Sequence, residues 1–216
     1  KAKVDAINPA KVGETFTLTE DDVTIIGTAK NDLIKATNKT YNDGDTIVDG
    51  SITDNDVLEL TTTANISATP KVTNIENINI TANKVGTFEF AADGITGAKN
   101  VNVTRDNNTG AVEITTLDSA SVNAKAGVTN LTVGYDSNKV SEATIKGATG
   151  TVTVTGIDRG GVVIEGAKDK AISVTEKTGG VSDSKATINS SGKVAVTNGV
   201  DLLTLNSNAE ATTYDL

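Results

Sequence analysis

Apolar residues recur in pairs at positions i and i+2 along the chain, with polar residues on either side. The pairs are Phe16/Leu18, Leu58/Leu60, Ile78/Ile80, Phe88/Phe90, Val101/Val103, Val112/Ile114, Val122/Ala124, Leu131/Val133, Ala143/Ile145, Val152/Val154, Val162/Ile164, Ile172/Val174, Ala186/Ile188, Val194/Val196 and Leu203/Leu205. From Ile78 onward, successive pairs lie 8 to 14 residues apart. Alternation with a period of two is typical of β-strands, whose successive side chains point to opposite faces. The pattern therefore predicts an all-β chain of many short strands.

The segments between the pairs are rich in residues that form turns. Examples are GAKN, TRDNNTG, EKTGG and NSSGK, in which Gly and Asn tolerate the backbone conformations of sharp corners. Apolar residues seldom recur at the i, i+3, i+4 and i+7 spacing that marks an amphipathic helix. We therefore expect strands joined by tight turns, and no helix.

Two all-β architectures fit strands at this spacing. A β-solenoid stacks coils so that each strand pairs with its equivalent one coil later, whereas β-sandwich domains give antiparallel strands at similar intervals. Each strand here supplies only two inward apolar residues, which is thin for a two-sheet core, and the polar faces are rich in Thr and Asn. These features favour an irregular β-solenoid, a stack of short strands similar to a parallel β-helix. The sandwich is the alternative.

Composition and charge exclude several classes of function. The chain has no His and no Cys, so it cannot build a Ser-His or Cys-His nucleophile or a zinc site with nitrogen or sulfur ligands. A net charge of −9 without a basic stripe argues against nucleic acid as a partner. No apolar run approaches the ~20 residues of a membrane span.

An enzymatic role is not expected either. The only arginines, Arg105 and Arg159, each neighbour an aspartate, Asp106 and Asp158, which predicts local ion pairs in turns. Aromatic residues make up 3% of the chain, so it offers little of the ring surface on which sugars stack in carbohydrate-processing grooves.

The chain divides by composition into an Asp/Asn/Gly-rich turn segment at 1–70 and a solenoid of short strands at 71–216. We expect the two to form one continuous unit. Because the sequence begins at Lys1 without Met, we interpret it as a piece of a longer protein.

Residues 27–56, GTAKNDLIKATNKTYNDGDTIVDGSITDND, concentrate carboxylates among Gly, Asn and Thr. The candidate metal ligands are Asp32, Asp43, Asp45, Asp49, Asp54 and Asp56. The pairs at 43/45 and 54/56 are each two positions apart, so on an extended chain both carboxylates of a pair face the same side. Calcium takes about six to eight oxygen ligands in flexible geometry. We therefore predict isolated Ca²⁺ ions held by turns; the alternative is that these residues only cap the turns.

The same region resembles the calcium-dependent surface-layer (S-layer) proteins of Gram-negative bacteria, which are related to repeats-in-toxin secreted proteins. The resemblance covers residues 14–81 and includes the phrase VTNIENINIT at 72–81. Gly27, Asp32 and Ile34 match the first glycine, the aspartate and the apolar residue of the G-G-x-G-x-D-x-U-x turn. Thr28 and Lys30 replace two of its glycines. A second turn, with one extra residue, is matched by Asp49, Gly50, Asp54, Asp56 and Leu58.

The resemblance implies a secreted structural protein on the outer face of the outer membrane. It implies self-association into a lattice whose turns or subunits are rigidified or bridged by calcium, with lipopolysaccharide as a further partner of such proteins. The alternative function is a carbohydrate- or lipopolysaccharide-binding adhesin module of a repeats-in-toxin-type protein.

Overall fold

The computed structural model of the chain describes residues 13–136, 140–158, 160–167, 169–176, 184–189, 192–197, 201–206 and 210–214. Within these residues every helical or extended element is a β-strand, and every paired strand runs parallel to its neighbours. The same residues contain no helix that is long and apolar enough to cross a membrane. The all-β prediction is confirmed.

The strands form three parallel sheets. The ten-stranded sheet contains β1 (Thr15–Thr17), β3 (Leu33–Thr37), β5 (Val57–Thr62), β7 (Asn77–Ala82), β10 (Asn100–Thr104), β12 (Ser121–Ala124), β14 (Val140–Lys146), β16 (Gly160–Glu165), β18 (Ser184–Asn189) and β20 (Leu202–Asn206), in that order. The four-stranded sheet contains β2 (Thr24–Ile26), β4 (Thr46–Val48), β6 (Lys71–Thr73) and β9 (Ile95–Thr96). The seven-stranded sheet contains β8 (Phe88–Ala91), β11 (Gly110–Leu117), β13 (Val128–Tyr135), β15 (Val152–Ile157), β17 (Ile172–Glu176), β19 (Lys193–Thr197) and β21 (Glu210–Tyr214).

Strand order and register make the chain a β-solenoid, as the sequence favoured. Ile78 aligns with Val101 and Val101 with Val122, 23 and 21 residues further along the chain. One coil therefore contains about two of the apolar pairs, one pair in each wall. Antiparallel β-sandwiches are excluded for the described residues, because neighbouring strands are parallel throughout.

The core consists of the inward residues of these pairs, stacked in columns along the solenoid. Leu58, Ile78, Val101 and Val122 follow one another in register and are all fully buried. β-Branched and small side chains suit this arrangement, because each has to fit between identical positions of the coils before and after it.

The solenoid is irregular in two respects. Register shifts interrupt the pairing of β11 with β13, β14 with β16, β15 with β17 and β19 with β21. In addition, the four-stranded sheet ends at β9, and the seven-stranded sheet begins at β8. Two sheets continue across residue 70, the boundary between the two segments that differ in composition, since β5 pairs with β7 and β4 with β6.

The apolar pairs did not mark every strand. β2, β4, β6 and β9 each bury a single apolar residue, Ile25, Ile47, Val72 and Ile95 respectively. Each of these strands of two or three residues points only one side chain inward, so none of them contains a buried i, i+2 pair.

Arg105 corrects a sequence expectation. Its guanidinium is buried and donates hydrogen bonds to the backbone carbonyls of Asn108, Lys84 and Gly86 rather than to the neighbouring Asp106. It therefore ties the corner after β10 to the corner one coil earlier. Arg159 lies outside the described residues.

Candidate metal centre

Three acidic residues occupy the same position in successive coils. Asp32, Asp56 and Glu76 immediately precede β3, β5 and β7, and the first residues of these strands are register partners. Because parallel strands in register place equivalent residues about 4.8 Å apart, the three side chains form a column at one corner of the solenoid. All three are buried, with exposed fractions of 2%, 0% and 2%.

Backbone hydrogen bonds fix the column. The backbone N–H of Asp32 donates to Oδ1 of Asp56 at 2.7 Å, and that of Asp56 donates to Oε2 of Glu76 at 2.9 Å. In the same way, the N–H of Glu14 donates to Oδ1 of Asp32 at 2.6 Å. Thr28, which replaces a glycine of the G-G-x-G-x-D-x-U-x turn, donates two further hydrogen bonds to Asp32, one from its backbone N–H and one from its hydroxyl. Each carboxylate is thereby held by the coil that precedes it.

The turns between the two walls bring further carboxylates to this corner. Asp49 directly follows β4 and is 1% exposed, while Asp54 lies half-buried in the turn before β5. Carboxylate oxygens of Asp32, Asp49 and Asp56 lie within 4.8 Å of one another, and so do oxygens of Asp54, Asp56 and Glu76. Asp56 belongs to both groups, so five carboxylates form one continuous centre.

Several oxygens of this centre are buried without a hydrogen-bond partner. They are Oδ1 of Asp49, both carboxylate oxygens of Asp54 and Oδ2 of Asp56. An unpaired carboxylate oxygen away from water is costly, because the charged form loses its hydration without compensation. These oxygens therefore have neither a hydrogen-bond donor nor a cation beside them within the described part of the chain.

The pKa values of Asp56 and Asp49 are both raised, as expected for carboxylates that are buried close to other carboxylates. Burial raises the pKa of Asp56 from 3.8 to about 7, against the lowering effect of the hydrogen bond from Asp32, and the charges of Asp49, Asp54 and Asp32 raise it further. Burial is also the largest cause that raises the pKa of Asp49. Desolvation and like-charge repulsion are what an incoming cation relieves.

A glycine leaves space at the centre. A Cβ placed on Gly27 would come closer than 3 Å to Oδ1 of Asp49 and to Oδ2 of Asp32. Real Cβ atoms do not approach oxygens so closely, so any residue larger than glycine would have to displace both carboxylates. Gly27, which matches the first glycine of the G-G-x-G-x-D-x-U-x turn, therefore leaves room for the carboxylates of Asp32 and Asp49.

Lys99 forms an ion pair with the column. It immediately precedes β10 and therefore stands one coil beyond Glu76 in the same position. Its Nζ lies 3.5 Å from Oε1 of Glu76, and its side chain is 57% exposed. One partly solvated ammonium at the end of the column neutralises only a small part of the acidic centre.

The structure separates the predicted ligands into two sets. It brings Asp32, Asp49, Asp54 and Asp56 together, but Asp43 and Asp45 lie outside both carboxylate groups found among the described residues. Asp45 accepts the backbone N–H groups of Val23 at 2.9 Å and Asn42 at 2.8 Å. Asp43 is exposed and accepts the N–H of Thr69 at 2.7 Å. Both side chains therefore hold backbone N–H groups of the turns around them.

Glu76 was not among the ligands predicted from the sequence. It lies 20 residues beyond Asp56 in the phrase VTNIENINIT, outside the acidic segment that drew attention to the others. The available signal was its place directly before the strand NINIT, which matches the place of Asp56 before VLELT. Using that signal requires the coil length, which varies along the chain.

The donor set consists of oxygen atoms alone. Carboxylate oxygens in a buried, flexible corner suit hard divalent cations rather than metals that prefer nitrogen or sulfur. No protein-family model, curated protein or solved structure matches the chain. The function is therefore inferred from the carboxylate centre and the solenoid that builds it.

Proposed function

We propose that the chain is a calcium-stiffened structural module that self-associates in a bacterial surface layer. The observation that carries the proposal is the pair of buried carboxylate groups joined at Asp56, with oxygens that no other part of the described chain satisfies. The proposed role of calcium is to neutralise this corner and fix the first coils against one another.

Calcium is the ion that suits the centre best. It binds oxygen ligands at about 2.3–2.6 Å, so two ligand oxygens of one ion lie at most about 5 Å apart. The oxygens of each carboxylate group lie within 4.8 Å of one another, so one ion of this size can contact all three side chains of a group. Magnesium requires a smaller and more regular octahedron and tends to keep its water, which suits this crowded corner less well.

Two ions per chain follow from the two groups. One ion would be held by Asp32, Asp49 and Asp56, and the other by Asp54, Asp56 and Glu76. Asp56 would contribute to both sites. Water and backbone carbonyls would supply the remaining oxygen ligands.

The surface-layer role rests on the architecture and on the resemblance of residues 14–81. A solenoid with regular walls provides long side surfaces for lateral contacts between copies. The net charge of −9 is tolerable where divalent cations are abundant, because cations screen the repulsion between subunits. The proposal therefore includes secretion, location at the cell surface and self-association, and no enzymatic activity.

Sedimentation velocity combined with thermal melting tests this function, first in calcium at about 1 mM, a concentration typical of extracellular calcium modules, and then in chelator. We expect calcium to raise the melting temperature and to shift the chain into larger assemblies. Stabilisation without assembly would favour the adhesin-type module, and binding to lipopolysaccharide would then be measured. An equal melting temperature in both conditions would reject the calcium role.

A further inference from the structure

The outer face of the ten-stranded sheet carries one unbroken row of polar side chains. Strand by strand from β1 to β20, the residues in register are Thr17, Lys35, Glu59, Asn79, Asn102, Asn123, Lys146, Glu165, Asn189 and Asn206. We call these ten residues the charge row. Every member is exposed or half-buried, and neighbours are separated by about 4.8 Å.

The charges in this row repeat in a fixed order. A lysine followed by a glutamate occurs at Lys35 and Glu59 and again at Lys146 and Glu165, five strands later. Neutral asparagines or a threonine occupy the other positions. All four charged side chains are exposed, and none makes an ion pair within the described part of the chain.

Asparagine ladders keep the centre of the row in order. Nδ2 of Asn102 donates to Oδ1 of Asn79 at 2.9 Å, and Nδ2 of Asn123 donates to Oδ1 of Asn102 at 3.1 Å. These side chains are already fixed before any partner arrives, so association costs less side-chain entropy.

We propose that the charge row is the contact surface of a symmetric dimer with a second copy of this chain. The two-fold axis lies in the contact plane, parallel to the strands, and passes through β10. This axis places the strands of the partner subunit in the reverse order across the contact. Each residue then faces a residue at the same level along the strand. Lys35 then faces Glu165 of the partner subunit, Glu59 faces Lys146 of the partner subunit, and the reciprocal contacts follow by symmetry.

Charge selects this arrangement over its rivals. An axis along the solenoid places every residue against its own copy, so Lys35 meets Lys35 of the partner subunit and repulsion opposes docking. With an axis between β3 and β5, only four strands of each subunit overlap, and with an axis between β14 and β16 only six overlap. In both cases only two of the four charged residues of a subunit meet an opposite charge. The axis through β10 overlaps nine strands and pairs all four.

The neighbouring row and the contact area agree with the same axis. Leu33 and Val163 lie one row away on strands β3 and β16, and the axis places them against each other across the contact. Nine strands of about 4.8 Å and a width of about five residues give roughly 700 Å² per subunit, close to the ~800 Å² of a standard interface. The charge row thus gives the self-association of the proposed function a specific surface, and it rests on that function only for its biological setting.

Mixing of charge variants provides a test, because Lys35 and Glu165 lie six strands apart in one chain and do not contact each other there. Sedimentation velocity of the whole chain is measured in chelator and in calcium, up to a protein concentration of about 1 mM, the range of weak affinities. We expect dimers for the wild type, and at least a tenfold weaker association for Lys35→Glu alone and for Glu165→Lys alone. An equimolar mixture of the two variants should restore dimers, because every contact then joins opposite charges.

Two further samples complete the test. Glu89→Lys, the same charge change on the seven-stranded sheet, should leave association unchanged. A mixture of Lys146→Glu with Glu165→Lys should stay monomeric, since the positive charge introduced by Glu165→Lys in one variant then faces Lys35 of the other. A monomeric wild type, or rescue by Lys146→Glu instead of Lys35→Glu, would overturn the proposal. Neither result depends on whether calcium raises the melting temperature, so the calcium role is tested separately.

Discussion

The backbone N–H of Asp32 donates a 2.7 Å hydrogen bond to the carboxylate of Asp56, 24 residues further along the chain. The same Asp56 lies within reach of four other carboxylates, and its second oxygen is buried without a partner. One oxygen therefore stabilises the stack of coils, and the other is available to a cation. This division of roles makes Asp56 the most informative position in the chain.

Asp56→Asn should remove the stabilisation that calcium provides. The amide keeps an oxygen for the N–H of Asp32 but loses the charge shared by both proposed ions. In calcium we expect a loss of about 1–3 kcal/mol in the free energy of unfolding, and in chelator no loss or a small gain, because a buried unpaired charge has gone. Urea unfolding measures both. Asp43→Asn is the matched control and should act equally in the two conditions, because its side chain lies outside the centre.

Gly27→Ala should weaken calcium binding without disturbing the rest of the solenoid. The added methyl group would displace the carboxylates of Asp49 and Asp32, which it approaches within 3 Å. We expect calcium affinity to fall at least tenfold in a titration followed by calorimetry. Gly50→Ala is the control, because a Cβ at that position has no neighbour within 4 Å. Equal affinities for the two variants would contradict the position assigned to the ion.

The stability of the metal-free chain should fall as the pH rises, and calcium should remove this dependence. The pKa of Asp56 is raised from 3.8 to about 7 by folding, so the metal-free folded state binds the extra proton between these values. This contribution to stability is complete below the unfolded pKa and is lost as the pH rises through about 7, with a slope of at most ~1.4 kcal/mol per pH unit. In calcium, the slope over the same window should be close to zero, because the ion displaces the proton from the folded chain and the carboxylate of the unfolded chain is already ionised there. Unfolding curves between about pH 5 and pH 8 distinguish the two, and parallel slopes would argue against a shared site.

Lys99→Gln should strengthen calcium binding. The ammonium of Lys99 competes with a cation for Glu76, but it is more than half exposed, so the ion pair contributes at most about 1 kcal/mol. We expect a two- to fivefold gain in affinity (about 0.4–1 kcal/mol), since each tenfold change corresponds to about 1.4 kcal/mol. Lys71→Gln, on an exposed position of the four-stranded sheet, serves as the control. A loss of affinity in Lys99→Gln would mean that this lysine supports the centre instead of competing with it.

The sequence predicted the solenoid because its core obeys a local rule. Val152 and Val154 lie two positions apart and both point inward, so the alternation is visible within three letters. Ile47 stands alone in a three-residue strand, and no local pattern distinguishes it from a buried turn residue. The parallel strand order has no such local mark, and only the thin core and the Thr- and Asn-rich polar faces of the strands favour it in the sequence.

The candidate site was predictable only in part, because its residues meet through the coil repeat. Asp54 and Asp56 are two positions apart and could be paired by inspection, and both belong to one carboxylate group. Asp56 follows Asp32 by 24 residues, but Glu76 follows Asp56 by 20. Because the coil length varies, the sequence alone does not show which residues lie at the same corner of the solenoid. For the same reason, Asp43 and Asp45 have the spacing of ligands but bond to backbone groups in two other turns.

The most direct test of the central claim is the number of calcium ions that the chain binds at equilibrium. Equilibrium dialysis of the wild type against calcium, with Asp56→Asn dialysed in parallel, measures it without reference to stability or assembly. We expect about two ions per wild-type chain, one for each carboxylate group, and a loss of both in the variant because Asp56 belongs to both groups. Equal amounts of bound calcium in the two samples, or none in the wild type, would contradict the assignment of this corner as a metal centre.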